Sequence, residues 1–131
     1  MRPGQLEPNE FEIAILSSFA QREPALARHI QQLHVLSREF TGVGSFTRFQ
    51  YEGAEPERHL VLDAQIHVPG PDNGLGAILF CRGDHPICLE LYTFGDEYWN
   101  GVYDGYSIAQ TPNQSLQPTA GRRTERLKDE L

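Results

Sequence analysis

Lysine is almost missing from this chain of 131 residues: ten arginines and the single Lys128 stand against 18 acids, for a net charge of −7. A lysine-free stretch from residue 1 to 127 offers no Schiff-base amine and no phosphate-cradling P-loop lysine. The charge is also uneven. Residues 1–110 hold seven arginines and 15 acids, or −8, and residues 111–131 hold +1. Phosphate backbones are bound through clustered Lys and Arg, so a body this acidic is expected to bind no nucleic acid.

Long apolar runs are lacking too. Nothing approaches 18 consecutive apolar residues, so no membrane span is expected. The opening MRPGQLEPNEFE has no apolar h-region, which argues against a secretory signal. The last four residues, Lys128-Asp129-Glu130-Leu131, spell a lumenal retention address, read here as coincidence because nothing delivers the chain to a lumen. Cysteine is scarce, only Cys81 and Cys88, where a small secreted scaffold would carry several. A cytoplasmic chain with reduced thiols is the expectation.

Catalytic signatures are absent as well. There is no GxSxG elbow, no SxxK, no GxxxxGK[ST], no GxGxxG, and no His-x-His or HExxH pair. His59, Asp63 and His67 share a strand face but stand four residues apart, about 13 Å per gap, too far to share a metal ion. The sequence therefore names no catalytic residue, no metal ligand and no cofactor.

What is present is a helical start followed by strands. Asn9 and Glu12 form a capping box, and Glu10 adds charge to the first turn. Phe11, Ile15 and Phe19 recur on one helix face up to about Arg22. Pro24 opens a second helix carrying Leu26, Ile30 and Leu33. Val35–Phe40 and Val43–Phe49 then flank Thr41-Gly42, a turn needing positive φ at Gly42. His59–Val68 alternates as a half-buried strand, with Leu60, Leu62, Ala64, Ile66 and Val68 on its dry side. Residues 69–74, Pro-Gly-Pro-Asp-Asn-Gly, make a turn.

Leu75–Cys81 and Pro86–Phe94 form the strongest hairpin, around Arg82-Gly83-Asp84-His85. If Cys81 opposes Pro86 in regular register, Ile78 and Phe80 share a face with Ile87, Leu89 and Leu91. Leu75, Ala77, Leu79 and Cys81 then share the other with Cys88, Glu90 and Tyr92. Both faces being largely apolar, the hairpin is expected at the centre of the sheet, covered on each side. Cys81 and Cys88 become diagonal neighbours about 7–8 Å apart, too wide for an easy disulfide. Residues 95–104 are a polar and aromatic loop, 105–110 a short last strand, and 111–131 a disordered tail by composition. The expected fold is α+β, in one domain over 1–110: one or two N-terminal helices on a mostly antiparallel sheet of five or six strands.

Two constellations carry the functional reading. Tyr92 to Trp99, with Asp96, Glu97 and Tyr98, sets aromatics beside acids at the end of a sheet. Such a surface suits a protein partner with a basic face, or a second copy of the chain. The competing reading folds Phe94 and Trp99 back as a lid on the core and leaves Asp96 and Glu97 as a solvated turn; large aromatics are highly buried on average. The second constellation is Arg38. It alternates faces with Glu39, and an inward charge needs a partner, for which Glu90 is the candidate. Arg38, Glu90, Tyr92 and Asp96 would then line a polar pocket, the basis of an alternative reading as a small enzyme or ligand binder.

Three segments, SREFTGVG (37–44), GLGAILFCRG (74–83) and LELYTFGDEYW (89–99), resemble the signatures of a recurrent family of small bacterial proteins, over roughly residues 10–108. The resemblance implies a compact domain and carries no activity with it. Where relatives often have a second aromatic after the glycine pair, this chain has Ser45. The sequence points first to a non-enzymatic, immunity-like module acting through protein contact.

Overall fold

A computed structural model describes residues 6–110; the expected tail from residue 111 lies outside them. Helix α1, Glu10–Arg22, starts on the capping box: the Asn9 side chain accepts from the Glu12 N–H, and the Glu12 side chain accepts from the Asn9 N–H, both at 2.8 Å. Its inward face carries Phe11, Ile15, Leu16 and Phe19. The second helix is shorter than its periodicity predicts. A 3-10 turn, Pro24–Leu26, runs into the single turn of α2, Ala27–Ile30. Leu33 lies beyond it but is still buried.

Seven strands follow: β1 Val35–Phe40, β2 Gly44–Phe49, β3 Glu57–Val61, β4 Ala64–His67, β5 Leu75–Arg82, β6 His85–Thr93 and β7 Ser107–Gln110. They form one antiparallel sheet in the order β1-β2-β6-β5-β4-β7, with β3 also paired to β5. The architecture is α+β with helices on a sheet, as expected, with one strand more than the upper count. The strand predicted over 59–68 divides at Leu62 and Asp63, although the Leu62 N–H still donates to Ala77 at 2.9 Å. Its alternation survives: Leu62 and Ile66 are buried, with Leu60, Ala64 and Val68 packed beside them.

The hairpin holds a correction. Cys81 opposes Pro86 as expected, but Phe80 opposes Cys88, so Ile87 is an extra residue in β6. This bulge shifts everything after it by one, and in a strand one residue exchanges the faces. Leu89 and Leu91 therefore join Leu75, Ala77 and Leu79 under the helices. Cys88, Glu90 and Tyr92 join Ile78 and Phe80 on the other face, which no described element covers. Cys81 and Cys88, both free, thus point to opposite sides of the sheet. Regular alternation would have put Glu90 in the core; the bulge keeps it out. Tyr92 lies across Gly76, where a Cβ would come within 2.3 Å of its ring.

Deleting Ile87 should restore regular register and drive Glu90 and Tyr92 toward the core. We expect that variant to lose cooperative unfolding. Ile87→Ala, which keeps the chain length, should unfold cooperatively and lose only about 1–2 kcal/mol. Circular dichroism with denaturant titration checks both; a cooperatively folded deletion variant contradicts the account.

Candidate functional site

One end of the sheet is built from three segments tied by backbone bonds. The β1–β2 turn places Gly42 at φ +91°, the left-handed region predicted for it. The Gly42 carbonyl accepts from the Trp99 N–H at 3.0 Å, and the Val43 carbonyl accepts from the Thr93 N–H at 2.9 Å. After β6 the chain reverses through a 3-10 turn, Phe94–Asp96, in which Gly95 and Asp96 both have positive φ. Asp is among the few side chains that tolerate this conformation.

Trp99 plugs the seam between this end and α1. It is 2% exposed, its Nε1–H donates to the Val102 carbonyl at 2.9 Å, and its ring meets Phe11 and Phe40 edge-on. Phe11 also stacks on Tyr103 with centroids 4.8 Å apart. Of the two readings of Trp99, burial in the core is the one observed. Phe94 does not share it and stays exposed.

The side chains left outside define the surface. Phe40 (54% exposed), Val43 (41%), Phe94 (42%), Tyr98 (70%) and Val102 (40%) are five of the eight large exposed apolar residues among those described. Glu39, Asp96 and Asp104 are exposed beside them in sequence. No Lys or Arg occurs anywhere from Gly83 to Gln110. Glu97 turns back and accepts from the Asn73 N–H at 3.1 Å, so it braces the 72–74 turn.

Arg38 does not meet Glu90. It faces α1, where its Nε and Nη2 both donate to the Glu12 carboxylate at 2.7 Å. Thr47, opposite Arg38 in β2, donates its hydroxyl to the same carboxylate at 3.1 Å. Glu12 is buried, and its hydrogen bond holds the Arg38 guanidinium above its ordinary pKa, against the desolvation that lowers it. Glu90 lies on the open face because of the bulge, so no pocket contains both residues. The space beside Arg38, bordered by Glu12, Thr47 and Trp99, measures about 30 Å³. That is room for one water molecule.

The expected site residues therefore fall into three places. Asp96, Glu97, Tyr98 and Trp99 belong to the sheet end, though only Asp96 and Tyr98 are exposed. Arg38 belongs to the buried clamp with Glu12. Glu90 and Tyr92 lie on the open face, where burial and then Glu90 push the Tyr92 hydroxyl up in pKa. The sequence reading missed Phe40, Val43 and Val102; the one available signal was apolar residues at turns, where burial is not enforced. It also missed Glu12, already assigned to the helix cap.

The thiols are poor nucleophiles. Burial pushes Cys81 up to about 11 and raises Cys88 as well.

A second cluster joins α2 to the β5–β6 turn. Asp84 holds Arg28 at 2.7 Å and His29 Nε2 at 2.9 Å. The rings of His29 and His85 are 4.8 Å apart, and Tyr51 flanks His85 at 5.0 Å. His85 Nδ1–H donates to the Pro86 carbonyl at 2.8 Å. Nearby, Arg58 donates to the Gly83 carbonyl and pairs with Glu23. The hydrogen bond from His29, foremost, holds Asp84 below the usual carboxylate range. Burial, foremost, holds His85 below its ordinary value; His29 lowers it further, while the Pro86 bond and Asp84 oppose.

No family model matches the chain, and no curated protein or solved structure matches it.

A depressed histidine pKa means that folded His85 binds a proton less readily than unfolded His85, so stability is lost as pH falls below about 6.5. Asp84, also depressed, adds a loss only as pH falls through the carboxylate range near about 4. Denaturation midpoints should therefore drop between about pH 7 and pH 5 in the wild type, and drop less in His85→Asn. An equal drop in both proteins contradicts the assignment.

Proposed function

We propose that the chain is a protein-docking domain, which receives a basic protein surface at its sheet end in the manner of toxin-neutralising, immunity-like proteins. One observation carries this reading. Five of the eight large exposed apolar side chains among the described residues come from the segments that build one end of the sheet, and the chain segment that builds most of that end has acids but no cation. Three of the five, Phe40, Phe94 and Tyr98, are aromatic, and aromatic anchors dominate binding energy. The acids steer a basic partner and reject an acidic one. A second copy of the chain would set Asp96 and Asp104 against their own kind, so a basic partner fits better than a homodimer through this end.

The domain acts by contact, in the cytoplasm, without a cofactor. The enzyme reading needs a polar pocket shared by Arg38 and Glu90, and the sheet lies between those residues. The likeness of SREFTGVG and LELYTFGDEYW to a small bacterial family is compatible with such a module.

The test is affinity capture from the native host, followed by binding kinetics with the captured partner. Wild type should capture a basic protein that the double variant Phe40→Ser/Tyr98→Ala does not. The association rate should fall at least about tenfold between low and high salt, because exposed charges attract through screened fields. Equal capture by both proteins, no captured protein, or a salt-independent association rate contradicts the proposal.

A further inference from the structure

The open face of the sheet carries a depression of about 370 Å³, lined by Phe46, Arg48, Glu57, Phe80, Ile87 and Cys88. It lies apart from the sheet-end surface, at the other end of β5 and β6, and is larger than the space of about 300 Å³ between α1 and α2. The bulge helps to make it: Ile87 and Cys88, adjacent in sequence, both line it, and Phe80 pairs with Cys88 across the hairpin. Phe46, Phe80, Ile87 and Cys88 give it an apolar lining with two aromatic rings.

Its charges are unequal in a way that selects a ligand. Six arginines lie among the described residues, and five close on a carboxylate: Arg22 on Asp63, Arg28 on Asp84, Arg38 on Glu12, Arg58 on Glu23 and Arg82 on Glu57. Arg48 is the exception, with no carboxylate within 4.0 Å among the described residues. Its guanidinium is instead 5.9 Å from the centroid of the Phe46 ring, which gives the planar fork a platform. Glu57, the acid of the depression, is 3.6 Å from Arg82 and thus already opposed by a cation. Of the charges in its lining only that of Arg48 lacks an opposite within 4.0 Å, with Glu90 diagonal to it on the same face, and the rest of the lining is apolar and aromatic.

We propose that the depression binds a small organic carboxylate with an aryl or branched-alkyl body. The carboxylate takes the two-pronged fork of Arg48, and the body lies against Phe46, Phe80 and Ile87. A volume of about 370 Å³ is at the small end of the range of about 300–1,000 Å³ typical of small-molecule sites. Bidentate pairing with a planar cation discriminates a carboxylate from an uncharged oxygen of similar size. The buried thiol of Cys88 is part of the lining and takes no chemical role.

The experiment titrates the full chain, labelled with nitrogen-15, with 3-phenylpropanoate and, separately, with the neutral 3-phenylpropan-1-ol. The expected result is a saturable shift of the Arg48 side-chain N–H and of the Phe80, Ile87 and Cys88 amides. Phenylpropanoate should bind at least about tenfold more tightly than the alcohol. Arg48→Met, which keeps an apolar stem over Phe46, should abolish that preference and leave alcohol binding unchanged. Arg48→Gln gives the same reading if the methionine variant does not fold. The proposal is overturned by the absence of saturable shifts up to about 20 mM probe, by equal binding of acid and alcohol, or by a preference that survives the loss of Arg48.

Discussion

A single buried carboxylate, that of Glu12, ties the helical layer to the sheet. Four donors converge on it: the Asn9 N–H, the Thr47 hydroxyl, and Arg38 through both Nε and Nη2. Burying one partner of an ion pair is tolerable only when its lone pairs are filled, and here each oxygen has two donors. The pair joins residues 26 apart in sequence and fixes the first turn of α1 over β1 and β2. Around it the remaining space holds one water at most, and Phe11, Phe40, Trp99 and Tyr103 close the seam. Trp99 in turn holds the β1–β2 turn through the Gly42 carbonyl. The sheet-end surface thus rests on a charge cluster deeper in the molecule.

The second constraint is that only one face of the sheet is covered. Two short helices cannot cap both sides of seven strands, so the apolar side chains must be sorted to one of them. The extra residue at Ile87 does the sorting, bringing Leu89 and Leu91 beneath α1 and sending Cys88, Glu90 and Tyr92 outward. The face left open is mixed rather than wholly polar. It combines the half-buried Phe46, Ile78 and Phe80 with exposed Arg48, and the depression beside Arg48 follows from that mixture.

Local signals in the sequence were reliable where local chemistry decides. The Asn9–Glu12 capping box, the positive φ of Gly42, the alternation of Leu60 to Val68 and the hairpin around Gly83 all follow from neighbours a few residues away. The bulge was not legible, because a period of two reads the same in either register and both candidate faces of β6 contain leucine or tyrosine. The partner of Arg38 was missed for a related reason. Glu12 fully explains its own position as a helix cap, and nothing local indicates that it accepts from a strand as well. Of the sheet-end surface, Tyr98 and Asp96 were legible from their segment. Phe40, Val43 and Val102 were not, because apolar residues at strand ends read as core until the fold shows which of them lack a neighbour.

Hydrogen exchange on wild type and Glu12→Gln tests most directly whether the Glu12 clamp organises the end of the sheet around Trp99. The substitution keeps the shape of the side chain and removes its charge. The account predicts faster exchange at the first turn of α1 together with the Thr93 and Trp99 amides, whose acceptors are Val43 and Gly42. Faster exchange confined to α1, with Thr93 and Trp99 as protected as in the wild type, would contradict it.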